Sequence, residues 1–145
     1  MAAQSTLTTA ARRLCEAIAA RDVDGIAAQF AAGYVNETPA HPSRGFRGAD
    51  QVRQNWSRIL GAVPDLHVEL VRESVVGDVE WSEWSYTGTA ADGSPFDMAG
   101  VVIFGVGDDG AVMWARFYLE PVDASLASAT ASTIEEAVGQ HVGAP

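Results

Sequence analysis

Residues 96–121 read FDMAGVVIFGVGDDGAVMWARFYLEP. Two strand-like runs flank Asp108-Asp109-Gly110, a turn signal. Pairing Val106 with Ala111 across that turn puts Met113, Ala115, Phe117 and Leu119 on the same face as Met98, Gly100, Val102 and Phe104. That face is wholly apolar, while the opposite one carries Asp97, Arg116 and Glu120. The apolar face must therefore be the inner one, covered by another layer.

Upstream the period of two continues. Val76-Gly77-Asp78-Val79 reads as a two-residue hairpin turn, with Gly at the first central position suiting type II′. Asp92-Gly93 marks another turn, so four strands are expected at about 66–76, 79–91, 96–106 and 111–120. In the second of these, Trp81 and Trp84 have opposite parity. A two-residue turn at Asp92-Gly93 sends Glu83, Ser85 and Thr87 inward; a three-residue turn sends Trp84, Tyr86 and Gly88 inward. The first hairpin favours the latter, because it sets Arg72 opposite Glu83, an ion pair suited to an outer face. Without a β-bulge, the same register sets Glu69 opposite Tyr86.

The preceding half is helical. Leu7, Ala11, Leu14 and Ile18 form one apolar stripe that Ser5 or Thr6 can cap. Asp22 caps a short second helix with Val23, Ile26 and Phe30 on one side, and Gly33 is placed to end it. Tyr34-Val35-Asn36 reads as extended. A third helix from about Ala49 to Leu60 carries Val52, Trp56, Ile59 and Val63 on one side, and Gly61 and Pro64 stop it. Segregated helices and strands make an α+β domain over residues 1–123. The remaining 124–145 read as a tail, in which Ser132-Thr133-Ile134-Glu135 is a capping box opening a weak helix.

At 145 residues the chain suits one domain, large enough to need no disulfide or metal staple. Its formal charge is −10. Residues 1–72 hold eight arginines and seven acids, whereas 73–145 hold Arg116 alone against twelve acids, and no lysine occurs. The acidic half disfavours anionic substrates approaching from its side and makes nucleic acid an unexpected partner. No apolar run reaches the length of a membrane span, and the opening residues do not read as a signal peptide. A single Cys15 excludes an internal disulfide and favours a reducing cytoplasm.

Three helices, a short strand, a Pro/Gly-rich loop and a four-strand meander resemble the cone-shaped nuclear transport factor 2-like superfamily, and within it the SnoaL-like (polyketide cyclase-like) group. The residues that carry the resemblance are Tyr34-Val35-Asn36 with Pro39 and Pro42, Phe46-Arg47-Gly48 and Pro64-Asp65-Leu66. Gly77-Asp78, Thr87-Gly88-Thr89, Gly100 through Phe104 and Trp114 through Pro121 complete it. The resemblance implies three helices packed on a curved antiparallel meander, with a pocket inside the cone. It also favours Trp84 and Tyr86 inward.

The same resemblance frames the site. In epoxide hydrolases and many SnoaL-like cyclases an acid sits where Phe117 falls, and this chain lacks it. A Tyr-x-Asn in limonene epoxide hydrolase resembles Tyr34 and Asn36, which share a strand face; the hydrolase's Arg-x-Asp falls near Trp84-Ser85-Tyr86. Ketosteroid isomerase would place its base near Glu37, which has the other parity. Tyr34 and Asn36 are therefore expected inward, as catalytic hydrogen-bond donors together with Tyr86. Trp56, Trp84, Met98, Phe104 and Phe117 would line a pocket for a flat hydrophobic compound. Glu37, Glu69 and His41, the last in the Pro39–Pro42 loop, are alternative acid–base groups. His67 and His141 have weaker claims, and Cys15 sits beside a core stripe. No spacing suits a metal, and no phosphate loop, GxSxG elbow or dinucleotide fingerprint occurs. The expectation is a cofactor-free enzyme for a hydrophobic polycyclic or polyketide-like compound, acting by cyclisation, isomerisation or epoxide opening. The alternative is a non-catalytic ligand-binding or scaffold protein, and either would be a homodimer.

Overall fold

A computed structural model describes residues 8–123 of the chain. Helix α1 spans Ala10–Ala19 and buries Ala11, Leu14 and Ile18 of the expected stripe, together with Ala10. Its cap is Thr9, whose hydroxyl accepts from the Arg12 amide at 3.1 Å. Leu7 and the expected caps Ser5 and Thr6 lie outside the described residues, as does the capping box at 132–135. Asp22 caps α2 (Val23–Ala27) by accepting from the Gly25 amide at 2.9 Å.

Helix α2 stops earlier than expected. Phe30 does not extend its stripe but opens strand β1 (Phe30–Glu37), and Gly33 lies inside that strand. The physical reason is backbone pairing. One short helical turn buries only Ile26 and Ala27, while β1 gains partners in two neighbouring strands. A single 3₁₀ turn (Pro42–Arg44) and strand β2 (Phe46–Arg47) lead into α3 (Ala49–Ala62), the third expected helix.

Strands β3 (His67–Val76), β4 (Val79–Thr87), β5 (Met98–Val106) and β6 (Val112–Pro121) form the meander. The sheet order is β2-β1-β6-β5-β4-β3. Because β1 runs parallel to β6, the curved sheet is mixed rather than purely antiparallel. Gly77, at φ +61°, occupies the first central position of the β3–β4 hairpin, between the paired Val76 and Val79.

Register decides what faces inward. Tyr86 pairs with Met98 and Trp84 with Gly100, a ladder centred on Asp92. This is the odd-numbered alternative, and it buries Trp84 and Tyr86. Phe104, Val102 and Gly100 pair with Ala115, Phe117 and Leu119, which keeps the expected shared face but shifts the ladder by two residues from the one a Val106–Ala111 pair would set. At the hairpin end a bulge pairs Val106 with Val112 instead of Ala111, which buries Val112 and turns Met113 out to 46% exposure. Arg72 does lie opposite Glu83, their side chains 2.8 Å apart. A second bulge, between Leu70 and Arg72, then changes the parity of β3. Val68 faces Tyr86, and Glu69 moves to Ser85 and to solvent, against the expectation for Glu69.

The inner face is apolar on β5 and β6 but not on β4, where Glu80 and Ser82 are buried. The Glu80 carboxylate accepts from the Ala10 and Ala11 amides, both at 3.0 Å, capping α1 from the inner face of the sheet. Ser82 donates to the Val102 carbonyl at 2.7 Å and accepts from the Trp84 indole at 2.8 Å. These bonds tie α1, β4 and β5 together.

Candidate functional site

A cavity of about 240 Å³ opens between β1, α3 and the inner face of the sheet. Its walls are mostly aromatic and aliphatic. Phe30, Phe46, Phe96 and Phe117 contribute rings, and Val52, Ile59, Met98 and Leu119 fill between them. The α3 stripe that packs against the core supplies Trp56, whose ring lies 6.2 Å from that of Tyr86.

One polar pair is built into the β1 wall. The Tyr34 hydroxyl donates to Asn36 Oδ1 at 2.7 Å. Alternation along the strand puts both side chains on the same face, and Thr38 continues the series. Tyr34 is 1% exposed, its ring held edge-on between Phe30 and Phe46. Burial holds its pKa far above the ordinary tyrosine value, so the hydroxyl stays a neutral donor. With Oδ1 occupied, the Asn36 amide N–H groups are left to face the cavity. The Asn36 backbone is clamped between Phe46 of β2 and Ala115 of β6, which fixes the side chain's origin.

A second asparagine repeats the arrangement. Asn55 on α3 lines the cavity and its Oδ1 accepts from Gln51 Nε2 at 2.9 Å, one turn earlier. Its amide N–H groups are likewise left over. Tyr86 adds a hydroxyl that has no hydrogen-bond partner among the described residues. Burial also raises its pKa far above the usual range, with the Cys15 charge adding to the shift. Arg44, from the 3₁₀ turn, completes the polar set at the exposed edge. No Asp, Glu, His or Cys lines the cavity among the described residues.

The structure thus gathers Tyr34, Asn36, Tyr86, Trp56, Met98 and Phe117 around one space. It does not gather Trp84 and Phe104, which are 1% exposed and packed in the core. Trp84 satisfies its indole on Ser82, deeper in the cone, and Phe104 lies one pair further along than Val102, beyond the cavity floor. Glu37 points to the outer side and is exposed. His41 meets Glu120 at 2.8 Å, outside the cavity wall. The Cys15 thiol, partly buried on α1, lies 3.7 Å from the Val68 carbonyl and is pushed up in pKa by burial. His67 is exposed on β3; His141 lies outside the described residues. Among the described residues, no group of three His, Cys, Asp or Glu side chains is placed to hold a metal ion.

Thr38, Asn55 and Arg44 were not singled out by the sequence reading. Thr38 extends the Tyr34–Asn36 alternation, and Asn55 follows Val52 by three residues, so both carried a periodicity signal. Arg44, in a loop, carried none.

Among the described residues, three helices on a curved, open, six-stranded mixed sheet with a cavity inside define the α+β nuclear transport factor 2-like fold. The chain belongs to the SnoaL-like domain family, whose model matches residues 11–116. No functionally curated protein matches it. Solved structures do. A SnoaL-like protein of unknown function from Burkholderia thailandensis E264 is 26% identical, with a TM-score of 0.60 over 78% of this chain and 92% of that one. A Mycobacterium tuberculosis protein in complex with estradiol-17β-hemisuccinate is 20% identical, with a TM-score of 0.65 over 75% and 89%. The epoxide hydrolase/cyclase-like enzyme SalBIII, of pyran-ring formation in the polyether salinomycin, is 16% identical, with a TM-score of 0.67 over 77% and 88%. The last two likenesses are likenesses of fold. No described helix is long and apolar enough to cross a membrane.

Proposed function

We propose that this chain is a cofactor-free small-molecule enzyme that closes a ring on a flat, largely apolar substrate. The observation that carries the reading is the polarity of the cavity: aromatic walls, hydrogen-bond donors from Asn36, Asn55 and Tyr86, and no carboxylate among the described residues. Donors without a base suit a reaction in which negative charge develops on a substrate oxygen while the substrate supplies its own nucleophile. In an intramolecular epoxide opening, a substrate hydroxyl attacks the epoxide carbon, the C–O bond breaks, and the freed oxygen takes up the proton that the hydroxyl loses. Asn36 and Tyr86 would stabilise that oxygen, and the surrounding rings would exclude water. Proton abstraction of the isomerase type fits less well, since Glu37, Glu69 and His41 all lie outside the cavity.

Size narrows the substrate. A cavity of ~150 Å³ holds a benzene ring, so about 240 Å³ encloses a two-ring body, with any larger remainder projecting through the mouth. Replacing Tyr86 by Phe should leave the affinity for an apolar ring ligand within about twofold and cut turnover roughly tenfold or more, the scale of one lost donor. Equal loss of both would assign Tyr86 to binding alone. The absence of a carboxylate from the cavity among the described residues also favours a second reading, a non-catalytic binding protein, which tight binding of a ring ligand with no turnover by the parent chain would support. A cytoplasmic homodimer, joined through the outer sheet face, is the expected form.

A further inference from the structure

The polar lining of the cavity is one-sided in a way that goes beyond that reading. Both asparagine oxygens are already occupied, Asn36 Oδ1 by the Tyr34 hydroxyl at 2.7 Å and Asn55 Oδ1 by Gln51 Nε2 at 2.9 Å. On these two side chains the groups without a partner are the amide N–H groups, beside the Thr38 and Tyr86 hydroxyls. Arg44 adds a guanidinium at the edge of the same cavity, and it has no carboxylate partner among the described residues. The other ion pairs of the described chain are formed elsewhere: Arg12 with Glu73, Arg53 with Asp24, Arg72 with Glu83, and His41 with Glu120. Several arginines lack a carboxylate partner among the described residues, and Arg44 is the one of them that lines the aromatic cavity.

We infer that the ligand is an apolar ring compound bearing a carboxylate, with the ring body among Phe46, Trp56 and Phe117 and the carboxylate at the mouth against Arg44. A planar guanidinium and a planar carboxylate pair through two parallel hydrogen bonds, which orient as well as attract. Arg44 sits on an exposed 3₁₀ turn, so its pairing with the ligand is at the solvent edge and is weakened by salt. Arg44 is thus a specificity residue: it selects among ring compounds by their charge, and the buried donors act on an oxygen further in. The inference rests on the proposed cavity reading and adds to it the charge of the ligand.

The test compares naphthoate with naphthamide, two probes of one ring body that differ in charge, by calorimetric or fluorescence titration of the full chain. The expected result is that naphthoate binds about fivefold to tenfold tighter, as charge-assisted pairs at a partly exposed edge allow. Arg44→Ala should bring the two affinities together by weakening naphthoate alone, Arg44→Lys should retain part of the difference, and added salt should erode it. Because Arg44 is exposed, a thermal melt of each variant should match the parent. Equal binding of the two probes by the parent, or an equal loss of both in Arg44→Ala, overturns the role of Arg44 while leaving the apolar cavity standing. Failure of both probes to bind overturns the cavity reading and this inference with it.

Discussion

Replacing Asn36 by Ala tests the centre of the site, and the structure sets the size of the effect. Tyr34 is 1% exposed, and its hydroxyl donates to Asn36 Oδ1 at 2.7 Å. Removing the acceptor leaves a buried O–H without a partner, which costs ~1–3 kcal/mol. Set against ~5–15 kcal/mol of total stability, that loss lowers the melting temperature by roughly 3–10 °C without unfolding the domain. Tyr34→Phe should cost less, since Asn36 faces the cavity and its freed oxygen can meet water. The double variant should be more stable than the two single losses predict, by ~1 kcal/mol, because both sever the same bond. On the functional side, Asn36→Ala removes a donor and should cut turnover roughly tenfold to a hundredfold. Glu37→Gln is the control: one residue away, exposed and of opposite parity, it should change neither quantity. Thermal denaturation and single-turnover kinetics on the four proteins decide the matter. If Asn36→Ala were neutral and Glu37→Gln inactive, the donor reading would be refuted and a proton-abstracting base would sit at Glu37.

Three further outcomes follow from the same geometry. Phe117→Asp places a carboxylate in an aromatic cavity and should weaken binding of an apolar dye at neutral pH, with part of the affinity returning on acidification; unchanged binding would mean that Phe117 does not face the ligand. Tyr34 and Tyr86 are both raised in pKa by burial, so the unfolded chain releases their protons first as pH climbs. The stability they support is therefore whole below pH ~10 and falls above it, by up to ~1.4 kcal/mol per pH unit for each tyrosine, and Tyr86→Phe should flatten the decline. Trp81 and Tyr118 are 49% and 40% exposed on the outer sheet face, which suits a two-fold contact between copies; light scattering at micromolar concentration should give twice the 15.3 kDa chain mass, and a monomer would count against that contact.

The fold was legible because its signals are local and repeated. The stripe Ala11, Leu14, Ile18 and the alternation from Met98 to Leu119 each follow from backbone period alone. Gly77 marked a hairpin because its positive φ suits few other residues. What the sequence by itself determined was thus the order of elements, the inner face of β5 and β6, and the shared face of Tyr34 and Asn36. Only the tertiary structure decided where that regularity breaks. Two bulges, at Leu70/Arg72 and Gly105/Val106, each insert one residue and so exchange inside for outside, sending Glu69 and Met113 to solvent. Depth was equally hidden: Trp84 and Phe104 share the cavity's face but lie beyond its floor, since parity fixes a side chain's direction and not its distance along the cone. Glu80 was legible as an acid and not as a cap, because its partners Ala10 and Ala11 are about seventy residues away and meet it only when the sheet folds over α1. Arg44 stands for the same limit at the site itself. A loop residue has no period, and the cavity it borders exists only after β1, α3 and the sheet have packed around it.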